Sequence, residues 1–540
     1  MAAIIEKDNG HDHVQESEYL EQELITNVHY EGVDALTVAA GVEPVQKFSK
    51  SMIKLYIICG CMFLGATMSG YDASLMGNLL DLPFFQKQFN ATILGAKAGL
   101  ISAMYSIGGV SALPFVGPLS DTWGRRVGIA IGCLIIIMGT IIQGTSHEMK
   151  QYLAGRFFIG FGVSVAGACP AYIVEMVHPV YRGTITGLFN CCYYLGAVLA
   201  AAVLRGCLHY ESNKSWLIPT WIQMVLPSIL LLCCMFFPES PRWLYSHGQK
   251  EKCRQTLIKY HGNGNPASIY VTLQMREFEQ YIELEGADKR WWDYRVLFDS
   301  KASLYRVILC ATAVPAFSQW TGQAGISYFL PAMLGTLGIT TTADVLNLNL
   351  GIVIASGGAA VIGATLMDRF GRRKMLITCC AVMALMWVGM VACLAAYNDK
   401  GNSASAKGSL AFVFIIGIVF SFSYTPLQQL YPVECLKYEQ RAKGIAFATM
   451  GTSATSLVNL FATPIALEKI TWHTYIIWIG TNTAQALYYY FFMVETKGHT
   501  LEEMNDIFAA KSPRKASLLS KAKTQEAVVK TKEAKMAVGL

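Results

Sequence analysis

The sequence predicts an all-α membrane protein, twelve transmembrane helices in two six-helix pseudo-repeats. Three observations carry that prediction. The 540 residues are 53% hydrophobic and only 15% charged, where an average soluble domain is about 25% charged, and the mean hydropathy is +0.37. Apolar stretches recur at spanning length; residues 127–146, 216–237 and 375–397 hold no formal charge, and each is near the ~20 residues that cross hydrocarbon as a helix. One basic loop sequence also occurs twice, as Ser120-Asp121-Thr122-Trp123-Gly124-Arg125-Arg126 and as Met367-Asp368-Arg369-Phe370-Gly371-Arg372-Arg373.

Residues 1–50 are polar and acidic (Glu16, Glu18, Glu21, Glu23, Glu31, Asp34). They lack the basic start and short apolar core of a cleavable signal, so a disordered cytosolic tail is expected. Six spans follow within residues 51–237, beginning near 54, 97, 127, 152, 184 and 216. Six more fill 303–493, beginning near 304, 344, 375, 409, 442 and 472. Residues 238–302 between them are rich in Lys and Arg, from Arg242 to Arg295, and such density marks a cytosolic loop, here with short helices. Even helix counting puts the two basic loops on that same side and both termini in the cytosol. The Lys-rich tail, 494–540, completes the chain. Asn90-Ala91-Thr92 and Asn213-Lys214-Ser215 are glycosylation sequons, and Asn90 and Asn213 fall in loops this topology places outside.

The second half echoes the first in its charges. Asp121 and Asp368 are 247 residues apart; Glu175 precedes Arg182 by seven residues, as Glu434 precedes Arg441. Two similar six-helix halves joined by a cytosolic segment are the plan of a rocking transporter with its site at the bilayer midplane. In that plan Asp121, Arg125, Arg126, Glu175 and Arg182, with Asp368, Arg372, Arg373, Glu434 and Arg441, pair between helix ends and gate the inner side. The alternative is simple anchoring of helix ends in the headgroup layer.

These loops resemble the repeated D-x-x-G-R-R loop of the major facilitator superfamily. Pro238-Glu239-Ser240-Pro241-Arg242-Trp243-Leu244, Pro170-Ala171-Tyr172-Ile173-Val174-Glu175 with Arg182-Gly183, and Val494-Glu495-Thr496-Lys497-Gly498 resemble its sugar porter branch over roughly residues 50–510, with Val494 where the family usually has Pro. Lys259-Tyr260-His261-Gly262-Asn263-Gly264-Asn265-Pro266, Trp291-Trp292-Asp293-Tyr294-Arg295 and Gln319-Trp320-Thr321-Gly322 leading to Ser327-Tyr328-Phe329-Leu330-Pro331 are similar to the fungal lactose and cellodextrin permeases. The resemblance implies a plasma-membrane sugar:proton symporter, working as a monomer in the bilayer.

Asp72 stands about 18 residues into the first span and Arg156 about five into the fourth, which enters from the other side, so both lie in the outer half. A carboxylate and a guanidinium there are tolerable as a pair. The resemblance makes Asp72 the proton-binding residue and Arg156 its partner; a static ion pair is the alternative.

A polyol needs neutral donors and acceptors with aromatic faces beside them. The spans hold Asn190, Gln319, Gln323, Asn349, Gln428, Gln429 and Asn459, with Tyr328, Trp320 and Tyr424 for stacking. Interhelical bonding is the alternative role for the amides. The resemblance places a hexose-contacting Gln, Asn, Gln and Trp where this chain has Ser318, Ala324, Cys191 and Gln429. That implies a wider, more polar pocket and a disaccharide of the lactose or cellobiose type. A hexose transporter, a facilitator without proton coupling and a non-transporting sugar sensor are the rival readings. No catalytic dyad, metal set, disulfide framework, phosphate-binding glycine loop or nucleic-acid surface is legible, so no enzyme activity, cofactor or nucleic-acid partner is expected.

Overall fold

The computed structural model describes residues 43–285, 295–336, 338–339, 341–400, 403–497, 499 and 501–518. The acidic tail before residue 43, the motif at Trp291–Tyr294 and most of the Lys-rich tail lie outside them. Ten helical stretches among the described residues are long and apolar enough to cross a membrane: Lys50–Leu79, Gly95–Trp123, Arg125–Gly144, Met149–Met176, Ile185–Cys207, Lys214–Phe236, Thr342–Met367, Arg372–Asp399, Ala404–Cys435 and Lys443–Phe492. The last holds two helices, Tyr438–Ile470 and Thr474–Phe492, separated by a 3-10 turn. The seventh span, between Lys301 and Gly335, is broken and so escapes a length criterion. With it there are twelve, and the expected starts fall within about six residues of the observed ones.

The chain divides into two compact units. The larger takes in Gly60–Tyr172, Thr184–Phe237 and the described residues of Arg290–Leu540. The repeat read in the loops is visible in its packing. The second span packs on the fourth and the third on the fourth and sixth; the eighth packs on the tenth and the ninth on the tenth and twelfth. Between the halves the second span meets the eleventh and the fifth meets the eighth.

The smaller unit comprises the described residues of Met1–Cys59, Ile173–Gly183 and Pro238–Lys289. Its helices Pro241–Ser246, Lys250–Tyr260 and Ile269–Glu285 close over Leu244, Tyr245, Cys253, Leu257, Val271 and Phe278. His261 is buried and ties the unit together: its Nε2 donates to the Met176 carbonyl at 2.9 Å and its Nδ1 accepts from Gln274 at 2.8 Å. Burial pushes its pKa down to about 4, so the ring is neutral near pH 7.

The third of these helices is capped from far away in sequence. The Glu43 carboxylate accepts from Ser268 Oγ at 3.0 Å and from the Ile269 amide at 3.0 Å, and the Glu43 carbonyl accepts from the Tyr270 hydroxyl at 3.0 Å. A carboxylate here satisfies free helix amides and faces the positive end of the helix dipole. Loss of a cap costs about 1 kcal/mol. Glu43→Ala is therefore expected to speed amide hydrogen exchange in the first turn after Ile269 roughly fivefold. Hydrogen-exchange mass spectrometry measures it, and exchange at the wild-type rate would show that the cap is not stabilising.

Candidate functional site

The site is built on the break in the seventh span. Ala313–Ser318 and Gln323–Gly335 are helical, and Gln319–Gly322 between them is not. A break in hydrocarbon frees carbonyls that water cannot serve, so protein must serve them. Side chains of three other spans do so. Gln485 Nε2 donates to the Phe317 carbonyl at 3.1 Å, Asn459 Nδ2 to Gln319 at 2.7 Å, and Thr481 Oγ1 to Trp320 at 2.8 Å. The Thr321 carbonyl accepts from Trp387 Nε1 and from Asn482 Nδ2, both at 3.0 Å. The Ser318 carbonyl is met locally by Thr321 Oγ1 at 2.9 Å.

Gly322 turns the chain at φ 94°. A Cβ there would lie 2.4 Å from the Trp387 ring and 2.8 Å from that of Trp478. Only glycine meets both demands.

A cavity of about 220 Å³ opens against this break. Ser74 of the first span, Asn190, Tyr193 and Tyr194 of the fifth, Ser318, Gln319, Gln323 and Tyr328 of the seventh, Asn349 and Ser356 of the eighth, and Phe420, Thr425 and Gln428 of the tenth line it. Among the described residues the lining carries no charged side chain. Several of its polar atoms are buried with no partner in the protein: Gln323 Oε1, Asn349 Nδ2 and the Ser356 hydroxyl. An acceptor, a donor and a hydroxyl left open together suit a ligand bearing hydroxyl groups.

Six of the eight amide and tyrosine positions expected at the site line the cavity: Asn190, Gln319, Gln323, Tyr328, Asn349 and Gln428. Two do not. Gln429 follows Gln428 on the same helix, so it projects about 100° away, and it is exposed. It adds nothing to the width of the pocket. Asn459 is turned to the break, where it holds the Gln319 carbonyl and accepts from Thr463 Oγ1 at 2.8 Å. Of the aromatics, Trp320 is 40% exposed and donates to the Thr455 carbonyl at 3.0 Å. Tyr424 is buried and donates to Gln485 Oε1 at 3.0 Å. Neither lines the cavity, whereas Ser318 and Ala324 do. Tyr193, Tyr194 and Ser356 escaped the sequence reading. Helical spacing from Asn190 and from Asn349, positions i+3, i+4 and i+7, points to them.

Asp72 and Arg156 are both 1% exposed. Asp72 Oδ1 accepts from Gln223 Nε2 at 2.5 Å, and its other oxygen has no partner. The three guanidinium nitrogens of Arg156 have none either; its carbon lies 5.2 Å from the centre of the Tyr105 ring. The direct pair expected between these two charges is not made in this conformation, because the Gln223 amide from the sixth span takes the carboxylate. Sequence gave no sign of Gln223.

Several of the loop charges make bonds within their own half. Arg125 pairs with Asp121 at 2.9 Å, and Arg126 donates to the Phe237 carbonyl at 2.8 Å. Arg372 holds Glu434 with two bonds, at 2.7 and 3.1 Å, and Arg373 donates to the Tyr490 carbonyl at 2.7 Å. Ser240 donates to Glu175, and Thr496 donates to Glu434 at 2.5 Å. Arg182 is half-buried. The side chains of Asp368 and Arg441 lie outside the described residues.

The family profile described as sugar (and other) transporter matches residues 58–508. The chain is 27% identical to the low-affinity glucose transporter of Kluyveromyces lactis, over 89% of this chain and 87% of that one. It is also 27% identical to myo-inositol transporter 2 of Cryptococcus neoformans, over 92% and 90%. In fold it is similar to the xylose transporter XylE from E. coli in a partially occluded, inward-open conformation, with a TM-score of 0.69 and 19% identity, over 83% of this chain and 99% of that one.

The break in the seventh span yields a test that needs no ligand. Gly322→Ala sets a Cβ against two tryptophans at a backbone angle that alanine resists, an overpacking and strain cost of about 2 kcal/mol or more. It is expected to lower the yield of monodisperse protein and its melting temperature in detergent. A melting curve unchanged from wild type would mean that the turn is not tightly held.

Proposed function

We propose, for a chain that belongs to the sugar (and other) transporter family of the major facilitator fold, that it imports a neutral disaccharide of the lactose or cellobiose type together with a proton. The plasma membrane is its site and both termini are cytosolic. The observation that carries the sugar reading is the uncharged cavity with open atoms on Gln323, Asn349 and Ser356. Small residues at Ser318 and Ala324 on its wall support the larger substrate. A hexose is the second reading, favoured by the relatives' names and by a cavity of about 220 Å³, small beside the ~300–1,000 Å³ of drug-sized sites. Uptake of radiolabelled lactose, cellobiose and glucose in a transport-deficient host, with external pH recorded, tests both. Saturable disaccharide uptake that alkalinises the medium supports the first; glucose uptake alone selects the second.

In the proposed cycle Asp72 carries the proton. Its two faces are a carboxyl bonded to Gln223 and a carboxylate drawn to Arg156. The basic loop ends, with Asp121, Arg125, Arg126, Glu175, Arg182, Asp368, Arg372, Arg373, Glu434 and Arg441, gate the cytosolic side. Asn90 and Asn213 are exposed, as glycan acceptors facing outside must be.

Asn349→Ala removes an open donor from the cavity wall. A sugar hydroxyl left without it costs about 1–3 kcal/mol, or roughly 5- to 150-fold in affinity. Half-saturation for the transported sugar should rise accordingly at normal surface expression; an unchanged value removes Asn349 from the site.

Asp72→Asn keeps the size of a protonated carboxyl and discards the charge. Exchange of sugar across the membrane needs no deprotonation and should persist. Accumulation against a gradient needs proton release on the inner side and should vanish. Accumulation ratio and counterflow, both normalised to surface protein, separate the two. Accumulation at the wild-type ratio would place the proton site elsewhere, with Glu175 the next carboxylate to test.

A further inference from the structure

Beyond the twelfth span the chain docks on the end of that same span. The helix Leu501–Ala509 leads to a further helical turn over residues 513–518. In that turn Ala516 packs against the core of the half, and Ser517 beside it is 0% exposed. The Ser517 hydroxyl donates to the Arg514 carbonyl at 2.9 Å and accepts from the Glu495 amide at 3.3 Å. His499 Nε2 donates to the Ser517 carbonyl at 3.3 Å. Arg514 Nη1 donates to the Tyr490 carbonyl at 2.9 Å, and its guanidinium carbon stands 5.7 Å from the centre of the Tyr490 ring.

The dock is passed on toward the basic loop. The Glu495 carboxylate accepts from the Arg372 amide at 2.9 Å, at the start of the ninth span. Arg372 in turn holds Glu434. Ser517, Glu495, Arg372 and Glu434 therefore form one chain of contacts, and the turn at 513–518 braces the inner end of this half.

The residues of the brace carry a second message. Arg514-Lys515-Ala516-Ser517-Leu518 places Arg three and Lys two positions before a serine, with an apolar residue after it. A serine kinase with an acidic substrate groove reads that pattern from an extended segment, its carboxylates pairing with the two cations. In the docked turn the serine is buried, Arg514 is committed to Tyr490 and the backbone is helical. Docking and recognition exclude each other.

We infer that Ser517 is a phosphorylation site for such a kinase, and that phosphate there releases residues 511–518 from the C-terminal half. The site rests on the cytosolic placement of the C-terminus proposed above, which gives it access to kinase and ATP. In the reaction the Ser517 oxygen bonds to the γ-phosphorus of ATP, the bond to ADP breaks, and the hydroxyl proton passes to the kinase base. The product carries about −2 charge on an atom that has no exposed surface in the dock. It would also stand beside Glu495, acidic and itself buried. The nearby cations are already engaged, Arg514 and Arg373 by the Tyr490 carbonyl and His499 by that of Ser517. Phosphoserine therefore does not fit back, and the brace stays open until the phosphate is removed. Ser512 is exposed, but Ala509 and Ala510 stand where this kinase class needs its cations.

The test uses purified full-length protein in detergent, the catalytic subunit of cyclic-AMP-dependent protein kinase and ATP, with phosphosites mapped by mass spectrometry. Phosphate should appear on Ser517 and be lost in Ser517→Ala. Its absence from Ser517, or its confinement to Ser512, overturns the site. Tyr490, 52% exposed, offers a way to loosen the dock without touching the recognised sequence. Tyr490→Ala removes the ring under Arg514 and should raise the initial rate at Ser517 roughly two- to fivefold. An unchanged rate overturns the competition between dock and kinase; Tyr490→Leu replaces the alanine variant if that does not fold. Hydrogen exchange on the phosphorylated wild type then reads release. The amides of Glu495 and of residues 514–518 should exchange roughly tenfold faster or more, and exchange at the unphosphorylated rate overturns the release. Kinase and ATP added outside intact cells should leave Ser517 unlabelled. Labelling there defeats the cytosolic placement instead, while the detergent experiment still judges the site.

Discussion

A helix broken in hydrocarbon exposes its own carbonyls, and this structure turns on how those of Phe317 to Thr321 are met. Gln485, Asn459, Thr481, Trp387 and Asn482 are committed to them, so the ninth, eleventh and twelfth spans are fixed to the seventh by polar bonds as well as by packing. In the apolar interior each such bond is hard to exchange, because no water competes for either partner. The consequence is a division of labour among amides. Those behind the break are saturated by backbone and hold it still. Those in front, Gln323 and Asn349, keep atoms open to the cavity. Saturating the first set is what allows the second to remain unsaturated without the helix refolding around them.

The same bonding recurs at the loop ends of both halves. Arg126 and Arg373 cap the last carbonyls of the sixth and twelfth spans, at Phe237 and Tyr490. Ser240 and Thr496, each following a glutamate, donate to Glu175 and Glu434. Donor, acceptor and helix end thus repeat at matching places in the two halves. A half that moves as a rigid body needs its helix ends tied to one another, and arginine, with its planar fork of donors, can hold a carboxylate and a helix terminus at once.

What could be read from sequence followed the strength of the physical constraint. Hydrocarbon dictates span length, so three spans were legible as charge-free apolar runs and the rest as segments between charged or Gly/Pro breaks, and the repeated loops gave the two halves. The seventh span was legible as a segment but not as a broken one, although Pro315, Gly322 and Pro331 stand within it. The cavity amides were legible because a buried amide is costly and therefore informative. Assigning them to a face was harder. Gln428 and Gln429 are neighbours in sequence and only the first reaches the cavity, a difference of one helical step. Asn459 was legible as polar and buried, but its partner is a backbone carbonyl whose exposure depends on the break. Tyr194 had only its helical spacing from Asn190 as a signal, and Gln223 had none: a lone amide in a span becomes meaningful only when the carboxylate opposite it is known.

The geometry around Arg156 is the least relaxed part of the interior. A guanidinium with no hydrogen-bond partner away from water is expensive, and the face of Tyr105 offers it only a weak quadrupole attraction. Asp72, the natural counter-charge, is engaged by Gln223 through a single oxygen. Ionised, the carboxylate could accept about four hydrogen bonds; protonated, its hydroxyl would need an acceptor of its own. Asp72 thus keeps one oxygen open and Arg156 all three nitrogens, and bringing the two side chains together would relieve both. Because Asp72, Gln223 and Arg156 belong to the first, sixth and fourth spans, that exchange of partners pulls on three helices of one half at once. In the proposed cycle this would give a single proton leverage over packing that no surface ion pair could supply.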